Sequence, residues 1–309
     1  MTATADLIIE RRRMRRRLAL WRILAIVAAV AFLIAIAALS GALGGASGGA
    51  HVARVDITGL ILNDPERHER LRRLAKDGEA EAVIVRIDSP GGSVAGSEEL
   101  YEDLRAIAEA KPLVAQMGSA AASGGYIAAI AAEHIVAYGN TITGSIGVVA
   151  QAPNIAELLE RAGIDVIEIK SSPLKAEPDP LTRLPDGAIE AQERIVADSY
   201  AWFRGLVSER RGLDGQALDT VSDGRIFTGR QALDNGLVDG IGGADTVDDY
   251  LAETHEVGRD LPRRDITWGE EEFPFPLGAA LAALGLDPAL WQPAAHRLTP
   301  GLKLYALMP

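Results

Sequence analysis

The chain has 309 residues, 48% of them apolar and 24% charged, which suits one large domain or two ordinary ones and excludes a disordered or wholly membrane-embedded chain. Its net charge of −12 is divided unevenly: residues 1–22 carry +5, from seven arginines against Asp6 and Glu10, and the remainder carries −17. A basic tip on an acidic body argues against a nucleic-acid binder, and the lack of cysteine excludes disulfides, thiolate nucleophiles and Cys-ligated metals.

In chain order, the basic N-terminus (1–22) is followed by 21 uncharged, mostly apolar positions from Ile23 to Leu43. A helix rises about 1.5 Å per residue, so this run has the length of a bilayer's hydrocarbon core. Arginines crowd its N-terminal side, so the expectation is a single-pass signal anchor in the cytoplasmic (inner) membrane. Residues 1–22 then lie in the cytoplasm and the body on the extracytoplasmic side. The alternative is a cleaved signal peptide with Ala42-Leu43-Gly44 at its cleavage site, which the length of the apolar run disfavours. A Gly-rich stalk (44–51) leads to a folded body (52–258).

Within the body, strands are expected at 51–61, 82–88, 112–118, 134–138, 146–151 and 166–169. Helices are expected at 65–78, 97–110, 154–162 and 187–210, with a small-residue segment, 119–133, between two of the strands. In the last helix Val196, Tyr200, Phe203 and Val207 share one face. Alternation of this kind means βαβ units and an α/β core with a largely parallel sheet. From residue 259 to 309 the chain is Pro- and Gly-rich, and its apolar stretch 277–286 is too short to span a bilayer.

Three places could carry chemistry. Asp88-Ser89-Pro90-Gly91-Gly92 follows a strand, and its glycines let backbone N–H groups face a cleft, although an idle turn reads the same way. Ser123-Gly124-Gly125-Tyr126 follows another strand, where a serine is either a nucleophile beside free N–H groups or an ordinary helix cap. A serine nucleophile needs a base, and the five histidines (51, 68, 134, 255, 296) form no cluster with it. Lysine is the remaining candidate. The chain has five lysines against 26 arginines, and two of the five, Lys170 and Lys175, fall in one loop. Arginine does not give up its proton near neutrality, whereas a desolvated lysine can, so a base is sought at one of these two positions, with a solvated loop lysine as the alternative.

The motifs and their order, DSPGG (88–92), AASGGYIAA (121–129), TGSIGV (143–148), IKSSPLK (169–175) and GRIFTGRQALDNGLVDGIGG (224–243), resemble the signal peptide peptidase A group of membrane-bound Ser-Lys proteases over about residues 52–250. The resemblance implies an α/β fold with a crotonase/Clp-protease-like core of ββα units and a peptidase domain at 52–258. Ser123 matches the nucleophile and Lys175 the general base. Lys170 matches a non-catalytic position. Gly92 and Gly124 match the oxyanion-hole donors, with Gly91 as the fallback, and Ser145 matches a hydroxyl that orients the lysine. Ser172 and Ala176 depart from the Gly and Asp common in the family's base loop. No metal or organic cofactor is implied.

Half-length members imply a homo-oligomer whose serine and lysine meet across a subunit boundary. The implied substrates are cleaved signal peptides or other apolar peptides at the outer face of the cytoplasmic membrane. An inactive peptidase-fold scaffold that binds membrane proteins is the alternative reading. An acyl-CoA enzyme on the same core is disfavoured by the anchor and by SGGY. A Ser-His-Asp protease is disfavoured by the placement of the histidines.

Overall fold

In a computed structural model of the chain, the described residues are 17, 20–30, 32, 49–267 and 305–306. Residues 20–30 are helical and exposed, and among the described residues no helix is long and apolar enough to cross a membrane. The expected span at 23–43 lies largely outside the described residues, as do its stalk and most of the Pro- and Gly-rich tail.

A nine-stranded mixed sheet organises the unit that begins at Ala50. Its main path runs β6 (Ile226–Thr228), β5 (Ile142–Gly144), β3 (Leu113–Ala122), β2 (Ala80–Ser93), β1 (His51–Ile61) and β8 (Arg263–Ile266). Strands β4 (His134–Ala137) and β7 (Gly240–Ile241) extend from β3, while β9 (Tyr305–Ala306) pairs with β2. All pairings are parallel except β5–β6 and β2–β9. β8 lies beyond residue 258, where the sequence suggested that the folded body ends, yet it pairs with β1 from Val52↔Arg263 to Val55↔Ile266.

Strand side chains alternate between faces, and the two faces are buried by different helices. Val55, Ile57, Val85 and Ile87 join one core with Leu71 of α1 (Pro65–Ala75), Leu100, Leu104 and Ile107 of α2 (Val94–Ala110), and Phe203 of α5 (Ala188–Arg211). Val52, Ile84, Val114 and Val136 form a second core with Val247 and Leu251 of α8 (Ala244–His255). α1 begins where Asp64 accepts hydrogen bonds from the Glu66 and Arg67 N–H groups, both 3.1 Å, with Pro65 in the first turn. The remaining helices are the short α3 (Gly124–Ala129) and α4 (Ala156–Arg161), and then α6 (Gly215–Val221) and α7 (Gly229–Asp234).

Two expected strands are absent. In the first region the strand is Ile142–Gly144, and positive φ at Gly144 (81°) and Ser145 (50°) ends it before the apolar run 146–151 begins. The second, 166–169, is unpaired and exposed among the described residues. The Ala-rich stretch after Ser123 gives only the six-residue α3, which is buried throughout; the Tyr126 hydroxyl in it donates to the Leu237 carbonyl at 2.8 Å.

Candidate active site

β2 and β3 run parallel, and their C-terminal ends deliver the DSPGG and SGGY segments to the same place. The register pairs Ile87 with Met117, is interrupted, and resumes at Ser89↔Ala121. β2 does not turn at its glycines as the sequence suggested. It continues to Ser93, with Gly91 and Gly92 alongside Leu60 and Ile61 of β1. A Cβ on Gly92 would lie 1.8 Å from the Ile61 carbonyl oxygen, so only glycine fits there. A Cβ on Gly124 would lie 2.3 Å from Ser97 Oγ and 3.1 Å from the Gly92 nitrogen, which puts the two glycine backbones next to one another.

Ser123 stands at the end of β3 with φ 53° and ψ −116°, a conformation that costs a non-glycine residue on the order of 1–3 kcal/mol. Its N–H donates to the Gly144 carbonyl at 2.8 Å, and its carbonyl accepts from Ile127 at 2.9 Å. The backbone is thus fixed on both sides, and the side chain does not cap α3. Ser123 is fully buried, and its Oγ has no hydrogen-bond partner among the described residues. Ser145 comes one residue after the Ala122↔Gly144 pair, just past the end of the strand beside the nucleophile candidate. It is also buried, and its N–H is tied to the Arg225 carbonyl at 2.8 Å.

Among the described residues, no base of the same chain bonds Ser123. Of the described histidines, His68 bonds Asp103 at 2.9 Å, His134 stacks on Tyr250 with ring centroids 3.8 Å apart, His255 pairs with Glu133 at 2.5 Å, and His51 faces Asp77 at 3.9 Å. The two loop lysines differ sharply. Lys170 pairs with Glu168 at 2.7 Å and with Glu177. The hydrogen bonds Lys170 donates to these carboxylates, Glu168 foremost, raise its pKa above the ordinary lysine value and hold it charged. Lys175 is exposed and makes no side-chain ion pair or hydrogen bond with a described residue.

Two side chains within DSPGG do work that the motif alone did not assign. Ser89 Oγ accepts from the Gly91 N–H at 3.1 Å and contacts its carbonyl at 3.3 Å, so the Gly91 N–H is already engaged. Asp88 Oδ1 accepts from the Ala120 N–H at 3.0 Å and so ties the end of β2 to the segment that leads into Ser123. A Ser-x-Gly sequence favours a side-chain turn of this kind, and that was the legible signal.

The family model described as Peptidase family S49 matches residues 105–258, a window that holds Ser123, Gly124, Ser145 and Lys175. A protein named as a protease in Synechocystis sp. is 38% identical over 195 residues, which cover 62% of this chain and 69% of the relative. The chain belongs to peptidase family S49. The chloroplastic serine protease SPPA of Arabidopsis thaliana is 37% identical to it over 179 residues, 57% of this chain but 26% of that protein. Among solved structures, ClpP1 of Listeria monocytogenes superposes with a TM-score of 0.41 at 17% identity, covering 62% of this chain and 92% of that one. As a member of family S49 the protein is a serine peptidase.

Proposed function

We propose that this S49 peptidase is a membrane-anchored endopeptidase in which Ser123 of one copy is activated by Lys175 of another. One observation carries the reading: a buried serine, strained in its backbone and free at its Oγ, adjoins two glycine N–H groups, and the described residues of its own chain offer it no base. Lys170 is unsuited because two carboxylates keep it protonated, while Lys175 is free to be carried into a neighbour's site. Buried there beside Ser145, a lysine loses hydration and its neutral form gains ground, as a base requires.

Ser123 Oγ then attacks a peptide carbonyl carbon and passes its proton to the lysine, and the N–H groups of Gly92 and Gly124 take the oxyanion. The lysine returns the proton to the leaving amine. A water activated by the same lysine cleaves the acyl-enzyme. Gly92 is preferred to Gly91 because the Gly91 N–H is already bonded to Ser89 Oγ. No step calls for a cofactor.

The antiparallel pairing of Gly92–Ser93 with Tyr305–Ala306 supports an extended peptide on this edge of β2, beside the proposed oxyanion donors. The uncharged run 23–43 behind an arginine cluster supports a site held at the outer face of the cytoplasmic membrane. Cleaved signal peptides and other apolar peptides would be the substrates, on the crotonase/Clp-protease kind of core.

A fluorophosphonate probe, with peptide cleavage followed from pH 6 to 10, tests the chemistry. Wild type should label at Ser123, and both Ser123→Ala and Lys175→Ala should lose cleavage. The wild-type rate should rise with pH through an inflection well below the ordinary lysine value of about 10.4. An intact oligomer that neither labels nor cleaves would favour the scaffold reading. Activity lost in Lys170→Ala and kept in Lys175→Ala would move the base to the other lysine.

A further inference from the structure

The segment 151–187 that carries Lys175 is mostly exposed, and two of its apolar side chains are unusually bare. Ile167 is 87% and Ile169 99% exposed. They belong to Val166–Ile169, a stretch with the alternation of a strand and no strand partner among the described residues. A period of two puts Ile167 and Ile169 on one face, while Glu168 and Lys170 on the other are gathered with Glu177 into an ionic cluster.

The segment does not fold back to cover these isoleucines. It is pinned at its base, where the Ile155 N–H donates to the Pro180 carbonyl at 2.8 Å, Asn154 Nδ2 to the Thr182 carbonyl at 2.8 Å, and Gln192 Nε2 to the Glu177 carbonyl at 3.1 Å.

An apolar groove begins one residue after Ser145. It has a volume of 660 Å³ and lies between the 146–150 segment and α5, with Ile146, Val148, Val149, Ile189 and Val196 in its lining. The groove and the bare isoleucines stand in a fixed relation to the two halves of the dyad. Ile169 precedes Lys175 by six residues, which span at most about 20 Å when extended. The groove adjoins Ser145, the neighbour of Ser123.

We infer that the groove beside Ser145 is the seat for Ile167 and Ile169 of a second copy of this chain, and that this docking carries Lys175 to the second copy's Ser123. The inference rests on the shared-dyad reading above and adds the surface that brings it about. It also accounts for a strand-like segment without a partner and for an apolar trough beside a catalytic centre, each covered by the other.

The chain has no cysteine, so single cysteines report cleanly. Full-length Ile169→Cys and Val196→Cys chains, differently tagged and co-expressed, are treated with a short bismaleimide. A linked species of two chains should form in the co-expressed sample and in neither single variant. In parallel, Ser123→Ala and Lys175→Ala chains are co-expressed and assayed. No link together with restored activity would overturn the seat and leave the shared dyad standing. A link without restored activity would uphold the seat and overturn the shared dyad. As an independent check, Ile167→Asp with Ile169→Asp should weaken self-association by at least about 30-fold, the scale of a central interface contact. Assembly equal to wild type would overturn the proposal.

Discussion

At the scale of single residues, the site depends on backbone positions that tolerate little else. Ser123 holds a positive φ that its neighbours impose through two backbone hydrogen bonds, and the hydroxyl they place finds no partner among the described residues. Gly92 and Gly124 adjoin because neither has a Cβ. The consequence is directional: in Gly92→Ala the methyl group must displace the Ile61 carbonyl or push β2 away from β1. Loss of one oxyanion donor typically lowers kcat by about 10²–10³. Gly92→Ala should show a loss of that order in kcat, measured on protein whose Tm and assembly are checked alongside. A variant with normal kcat would remove Gly92 from the oxyanion hole. Ser123, Gly92 and Gly124 could be picked out as candidates because their motifs keep recognisable residue types in order. The grip of Ser89 on Gly91 had only the Ser-x-Gly spacing as its signal, which does not by itself fix the dihedral angles of the turn.

At the scale of elements, the strands and helices that build the core follow from their patterns. β1, β2 and β3 are apolar enough to be buried, and α5 shows its core face at helical spacing through Phe203 and Val207. The misreadings have local causes. The apolar residues 146–150 read as a strand, but Gly144 and Ser145 break the chain direction and leave them lining a groove. Val166–Ile169 has a strand's alternation without a strand partner among the described residues.

The ionic cluster behind that segment makes a prediction about pH. The hydrogen bond from Lys170 lowers the pKa of Glu177, so this contribution is complete above the unfolded glutamate value of about 4.3 and is lost as pH falls through the folded value. The raised pKa of Lys170 gives a contribution complete below about 10.4 and lost as pH rises through its folded value. Limited proteolysis of the 165–178 segment should therefore be slowest on a plateau between these limits and accelerate on both sides. Lys170→Ala should cut faster across the plateau, and a profile unchanged by that substitution would show that the cluster does not hold the segment.

At the scale of the whole molecule, one chain holds both members of the proposed catalytic pair and does not join them. The proposed nucleophile, Ser123, is buried at the end of a parallel sheet, while the candidate base sits on an exposed segment pinned at its root. The sequence showed both residues and their order, but not their separation, since distance in space is a property of the fold. The central claim is that two copies make one site, and co-expression of Ser123→Ala with Lys175→Ala chains tests it most directly. Each variant alone should be inactive, and the mixed oligomer should regain peptide cleavage and fluorophosphonate labelling on the Lys175→Ala chains, whose Ser123 is intact. Mixed oligomers that form and stay inactive would contradict the account.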